Sequence, residues 1–296
     1  MAMQAEQRRC FDESDRKEVL SRQDFLRLSE FIHAECGIKI SEGKKVMLEA
    51  RFQKRLRLLG MTSFSDYCAY LFSPQGMECE LYHMIDAVTT NKTDFFREPS
   101  HFDFLVNTIL PELIHSRRWG AGRKLSVWSA GCSTGEEPYT LAMVINEFAQ
   151  RYPDLGLTWS ILATDISTKV LEKAKQAVFD MERAIPIPDP LKRKYLLRSK
   201  DKNKGLVRIV PELRQMVWFR RLNFMDEDFG LRDTMDVIFC RNVIIYFDRS
   251  TQTRLLNKFY RQLLPTGYLF MGHSETLHGL DVPFVQVAPT IYRKMG

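Results

Sequence analysis

The chain has 296 residues, 45% of them hydrophobic, which suffices for two modest domains or one large one and excludes a disordered or fibrous protein. Its 43 basic and 37 acidic residues give a formal charge of +6, which permits an acidic partner without demanding nucleic acid. Six cysteines (Cys10, Cys36, Cys68, Cys79, Cys132, Cys240) lack CxxC or metal-ligand spacing, and no apolar signal segment or membrane span is present, so reduced thiols, no metal and a cytoplasmic location are expected.

Residues 1–19 are polar, without a sustained period, and read as a flexible tail. A helical domain over 20–88 follows. "SRQDFLRLSEFIHAECG" opens with Ser21 and Asp24 at capping spacing, sets Phe25, Leu28 and Ile32 near one face, and stops at Gly37. "SEGKKVMLEARFQKRLRLLG" puts Leu48, Phe52 and Leu56 on one side, ends at Gly60, and gathers Lys44, Arg51, Lys54 and Arg55 on an adjoining face. Helices over Ser63 to Leu71 and Met77 to Val88 complete four. The block "TTNKTDFFREP", within 89–99, is polar yet carries a Phe pair, and reads as a linker that reaches into a site.

From residue 100 to 296 a second domain is expected, in which strands and helices alternate from Lys124 onward as in an α/β sheet covered on both faces. "KLSVWSAG" and "TWSILATD" are strands, with a helix from Glu136 to Tyr152 between them and the helix "STKVLEKAKQAVF" after. An irregular insertion spans about 180–216. Alternation resumes with "VWFRRLNF", "MDVIFC", a helix from Ser250 to Leu264, then "GYLFMGH" and "FVQVAPTIYRKM" closing the sheet edge.

In such a sheet the ligand sits at the carboxyl ends of the strands. The first strand ends in Gly131-Cys132-Ser133-Thr134-Gly135, which is neither the GxGxxG of dinucleotide enzymes nor a Walker loop, and Glu136 and Glu137 beside the helix start would repel a pyrophosphate. A cationic nucleoside without phosphates, such as S-adenosylmethionine, suits this turn. The two glycines are expected to make room for it, and Glu137 to face its polar and cationic groups. The second strand stops at Asp165, placed for ribose hydroxyls, and the third offers Asn223 for an adenine edge. Each has a plainer reading: strand-to-helix geometry for the glycines, dipole complementation for Glu136, a helix cap for Asp165.

The blocks "TTNKTDFFRE", "SAGCSTGEEPY", "ATDIS", "FCRNVIIY" with "FDRS", and "GHSE" occur in order, and with them the chain from about Ser21 to Arg293 resembles the chemotaxis receptor methyltransferases (CheR). The resemblance implies a class I Rossmann-like S-adenosylmethionine-dependent methyltransferase fold with an inserted small antiparallel β-subdomain, preceded by an all-α N-terminal domain. It implies methyl transfer from S-adenosylmethionine to receptor glutamates, giving methyl esters and S-adenosylhomocysteine. Cofactor contacts would come from Asn91, Thr93, Arg97, Glu137, Asp165, Asn223, Phe224, Arg241 and Asn242, beside the Gly131 turn. Arg97 and Tyr246 would position the acceptor carboxylate. Arg241 and Asn242 alternatively close a strand, and Tyr246 alternatively packs as an aromatic.

Lys44, Arg51, Lys54 and Arg55 would meet the methylation helices of a chemoreceptor, or else form a solvated face. Tethering to a receptor C-terminal peptide is not expected, because "RSKDKNKG" keeps only Gly205 of the glycine-bearing loop. The "GHSE" residues His273, Ser274 and Glu275 look like a catalytic trio, but consecutive residues cannot form a triad, and a structural turn is expected. A nucleic-acid methyltransferase is disfavoured by "CRNVIIY" where an Asn/Asp-Pro-Pro-Tyr motif would stand and by the lack of a basic-aromatic patch. A non-catalytic binding module remains open. A monomer without membrane insertion is expected.

Overall fold

The computed structural model describes residues 19–116 and 124–295, so the tail expected over 1–19 lies outside the described residues but for Val19. The chain divides into two compact units, one running to Val88 without Cys36–Ile38 and the other made of Thr89 onward together with Cys36–Ile38.

The first unit is helical: α1 (Arg22–Cys36), α2 (Lys45–Leu59), α3 (Phe64–Leu71), α4 (Pro74–Cys79) and α5 (Leu81–Val88). Ser21 and Asp24 form the expected reciprocal cap, with Asp24 N donating to Ser21 Oγ at 3.0 Å and the hydroxyl donating to the carboxylate at 2.7 Å. The single helix expected from Met77 to Val88 is two helices. Ser73 caps α4 by accepting from Gly76 N, Pro74 takes a first-turn position, and the chain bends at Glu80. That bend sends the Glu80 carboxylate inward, where Arg55 meets it at 2.8 and 2.6 Å and the Tyr67 hydroxyl at 3.1 Å.

In the second unit, α6 (Ser100–Phe104), a π-helical turn (Leu105–Ile109) and α7 (Leu110–Ser116) follow one another. Then come β1 (Lys124–Ala130), α8 (Glu136–Arg151), β2 (Thr158–Asp165) and α9 (Thr168–Gln176). A small antiparallel sheet of β3 (Val178–Asp180), β4 (Leu196–Arg198) and β5 (Leu206–Ile209) is inserted next, with α10 (Asp189–Tyr195) inside it and α11 (Pro211–Arg214) after it. It begins two residues before the expected insertion. Ala177 at φ 54° ends α9, so Val178 and Phe179 pair with β5 instead of extending the helix.

The main sheet is completed by β6 (Val217–Arg221), β7 (Met235–Cys240), α12 (Arg249–Gln262), β8 (Leu263–Met271), β9 (Phe284–Ala288) and β10 (Ile291–Lys294). Its order is β6-β2-β1-β7-β8-β10-β9. The strands from β6 to β8 run parallel, and β10 is antiparallel to both neighbours. Every residue of β7 is buried, as an unbroken apolar run requires when both faces are covered. One face packs on Phe102, Leu105, Leu141 and Ile145, the other on Leu255, Leu256 and Phe259. Because β1 leads to β2 on one side and borders β7 on the other, the topological switch point, where such sheets bind ligands, lies at its carboxyl end.

Candidate functional site

The chain leaves β1 through a tight turn. Gly131 lies at φ 85°, Ser133 at 48° and Gly135 at 99°. The Gly131 and Cys132 amides donate to Thr164 O at 2.8 and 2.9 Å, and Ser133 N donates to Asp165 Oδ2 at 2.8 Å. Each glycine also meets a need of the chain itself, since neither position has room for a side chain. A Cβ on Gly131 would stand 2.6 Å from Val243 Cγ2, and one on Gly135 3.0 Å from Ala174 Cβ. Asp165 is not the cap of α9, since Ser167 Oγ accepts from Val170 N. Its buried carboxylate instead receives Ser133 N and Ser167 N, which fixes its orientation at the end of β2.

Both glutamates after the turn are buried and bonded within the protein. Glu136 accepts from the Thr134 hydroxyl at 2.6 Å and forms an ion pair with Arg183 of the inserted segment. Burial pushes its carboxyl pKa up, against the pull of Thr134 and Arg183. Glu137 accepts from Ser129 Oγ and Arg241 Nε, each at 2.7 Å. Each oxygen of the Glu137 carboxylate thus holds one protein donor, which fixes its orientation.

The linker is stapled to this turn along its length. Ser133 Oγ donates to Asn91 O, Arg183 to Thr93 O, and Phe96 N to Thr140 Oγ1. Phe95 is buried edge-on against Phe179. Arg241 Nη1 donates to Arg97 O at 2.7 Å and lies 3.4 Å from Glu98. The half-buried Arg97 side chain donates to Lys92 O. Asn242, at φ 59°, follows Arg241, and Tyr246 stands half-buried at the end of the turn Ile244–Tyr246.

His101 Nδ1 lies 3.2 Å from Arg241 Nη1, a donor only, so the ring proton sits on Nε2, toward Thr290 Oγ1 at 3.0 Å. Burial and then the neighbouring guanidinium lower the His101 pKa to about 4. Glu98, His101 and His273 bring potential ligand atoms within 4.8 Å of one another, but Arg241 already occupies that cluster.

Asn223 Oδ1 accepts from Met225 N at 3.0 Å at the end of β6. The Phe224 side chain packs on Phe229 and Phe259, so only its backbone is available to a ligand, and Lys258 Nζ holds its carbonyl at 3.0 Å. Arg183, His101 and Lys258 were missed in the sequence. Each acts on backbone atoms or on partners far along the chain, which no local spacing reveals.

In the first unit, the four basic residues expected on one face of α2 divide. Arg55 is bound to Glu80, and Arg51 Nη1 donates to Val88 O. Lys44 and Lys54 are exposed, with Arg57 beside them, a residue the sequence reading left out.

Around this end of β1 the carboxylates of Glu98, Glu136, Glu137 and Asp165 outnumber the guanidiniums of Arg97, Arg183 and Arg241 by one. This balance suits a cationic nucleoside and disfavours a pyrophosphate, so the residues present fit S-adenosylmethionine. The family description "CheR methyltransferase, SAM binding domain" matches residues 91–292, and "CheR methyltransferase, all-alpha domain" matches 23–89. The chain is 40% identical over 275 residues to a chemotaxis protein methyltransferase of Borreliella burgdorferi, covering 93% of this chain and 95% of that one. It is 40% identical to chemotaxis protein methyltransferase 2 of Pseudomonas aeruginosa, covering 92% and 93%. With the chemotaxis protein methyltransferase of Escherichia coli the identity is 38%, covering 93% and 91%.

Proposed function

The chain belongs to the CheR methyltransferase family, an S-adenosylmethionine-dependent family of chemotaxis proteins, and from that premise we propose that it methylates glutamate side chains of chemoreceptors. The products are glutamate methyl esters and S-adenosylhomocysteine. The observation that carries this reading is the clamped linker. Arg241 joins the Arg97 carbonyl to the segment that bears Tyr246, so the two proposed positioning residues share one scaffold.

S-adenosylmethionine supplies an electrophilic methyl group on a sulfonium. Asp165 would accept from its ribose hydroxyls, and Asn223 with the Phe224 backbone would meet the adenine edge. Asn91, Thr93 and Asn242 bound the same pocket. Arg241 holds the Arg97 carbonyl, and Glu137 fixes the Arg241 guanidinium that does so.

A glutamate side chain, with a pKa of about 4.3, is already ionised near neutral pH, so no general base is needed. What the protein contributes is alignment of the carboxylate oxygen with the methyl carbon, worth roughly 7 to 11 kcal/mol of barrier. Arg97 pairs with the acceptor and Tyr246 donates a hydrogen bond to it. A strong ion pair would stabilise the ground state as much as the transition state, so both residues orient rather than activate.

The test is to supply methyl-labelled S-adenosylmethionine with receptor-containing membranes and then apply mild base. Release of volatile methanol marks a carboxyl ester. A base-stable label overturns the ester, and no incorporation favours a binding module.

A further inference from the structure

The "GHSE" turn holds a buried carboxylate that the mechanism above does not use. Glu275 is 3% exposed. Its Oε1 accepts from Val243 N and Ile244 N, each at 2.8 Å, and its Oε2 from Asn242 N and Gly272 N, each at 2.7 Å. Three of these four donors are consecutive amides of the segment between Arg241 and Tyr246. Those amides point to one side only because Asn242 takes a left-handed conformation, which a non-glycine residue adopts rarely and only when its surroundings hold it there.

The turn is shaped for this contact. A Cβ on Gly272 would stand 2.5 Å from Asn242 Nδ2 and 2.8 Å from Asn242 N, so only glycine lets the two backbones approach. The next amide, His273 N, donates to Glu98 Oε1 at 3.1 Å, tying the same turn to the linker. An ionised carboxylate is the one side chain that accepts from four N–H groups at once without offering a proton.

We propose that Glu275 is a positioning residue for methyl transfer, whose carboxylate gathers the Asn242, Val243 and Ile244 amides and so sets where Asn242 and Tyr246 stand. This rests on the reading of residues 241–246 as part of the methyl-transfer site. Glu275 does not touch cofactor or acceptor; it acts through the segment it holds. The three residues of "GHSE" that resemble a catalytic trio thus contribute one carboxylate, aimed at backbone.

The test compares the full chain with Glu275→Gln and Glu275→Asp. Glutamine keeps the shape but turns an N–H toward amides that also donate, leaving two of them without an acceptor. In Glu275→Gln, hydrogen exchange should quicken in the peptides covering 241–246 and 272–275 but not in β1 or α12, and S-adenosylhomocysteine should bind more weakly by calorimetry. The kcat for receptor methylation should fall on the order of a hundredfold, the scale of a misplacement of roughly 1 Å, with KM for receptor unchanged. In a Tyr246→Phe background the same change should cost much less, because both act on one element.

Unchanged exchange and S-adenosylhomocysteine affinity, or losses that simply multiply with those of Tyr246→Phe, would overturn the proposal. If the Gln variant does not fold, Glu275→Asp decides. It keeps the charge but is too short to reach all four amides, and native exchange over 241–246 with native turnover would refute the role. Exchange and product affinity do not depend on the acceptor, so an error about receptor glutamates would show as missing ester while these two readouts still respond.

Discussion

Arg241 and Glu137 meet at 2.7 Å with side chains only 2% and 9% exposed, across 104 residues of sequence. The same guanidinium reaches the Arg97 carbonyl, so one side chain joins the end of β7, the start of α8 and the linker. Breaking a buried pair by removing one partner strands the other charge and costs about 3 to 5 kcal/mol. Arg241→Ala and Glu137→Gln are each expected to lose stability on this scale in urea unfolding. The double variant Glu137→Gln with Arg241→Met should recover part of it, since the Glu137 charge is no longer stranded, although Glu98 still loses its guanidinium partner. A double variant no more stable than the worse single one would show that the linker carbonyl, not the charge pair, is what Arg241 serves.

Arg97 separates function from folding. Its side chain is half-buried and its guanidinium donates to the Lys92 carbonyl, a contact within the linker itself. Arg97→Ala should leave the unfolding midpoint within a few degrees and lower kcat/KM for methyl transfer by about a hundredfold, the cost of misaligning the acceptor. Tyr246→Phe, which removes only a hydroxyl, should lower kcat/KM less. Normal methylation by Arg97→Ala would remove the linker from the site.

His101 predicts an acid-side loss of stability. Its folded pKa of about 4 lies below the unfolded value near 6.5, so between these the unfolded chain binds more protons. Its contribution is complete above pH 6.5 and is lost as pH falls toward 4, with a slope of at most about 1.4 kcal/mol per pH unit. The groups around the ring are Arg241, Glu98, His273, Phe270 and Thr290. Glu136 and Glu275, whose pKa values are raised, act with the opposite sign, so the measurement is a difference. Urea stability from pH 7 to 4 should slope less in His101→Gln than in the unaltered chain, and equal slopes would refute the assignment.

Strands at the centre of the sheet were legible in sequence: the largely buried β2 and the fully buried β7 have the bounds that their apolar runs indicate, Thr158–Asp165 and Met235–Cys240. Where local chemistry competes, the reading failed. Ser73 and Pro74 start a helix that the apolar pattern from Met77 conceals, and Ala177 ends α9 in a left-handed conformation usually left to glycine. The site was legible as a set of positions but not as a set of bonds. Glu137 and Arg241 were each singled out as cofactor contacts, yet they satisfy one another, because pairing between distant segments has no signature along the chain. That Val243 fills the space a Cβ on Gly131 would need was likewise invisible, because the two lie far apart in sequence.

The division of basic residues on α2 predicts how a receptor is engaged. Arg55 is committed to Glu80, whereas Lys54 and Arg57 on α2 and Lys44 just before it lie exposed. Exposed charges act through salt-screened attraction, raising encounter with an acidic partner and leaving chemistry untouched. Lys54→Glu with Arg57→Glu should therefore raise KM for receptor roughly fivefold at low ionic strength, leave kcat and S-adenosylhomocysteine affinity unchanged, and lose the effect as salt is added. Arg55→Ala should behave differently: it strands the buried Glu80 carboxylate and should lower the melting temperature of the helical unit at every salt concentration. Steady-state methylation of receptor membranes across a salt series, with thermal unfolding of each variant, separates the two. If reversing Lys54 and Arg57 leaves KM unaltered at low salt, the exposed face of α2 is a solvated surface and the receptor is held elsewhere.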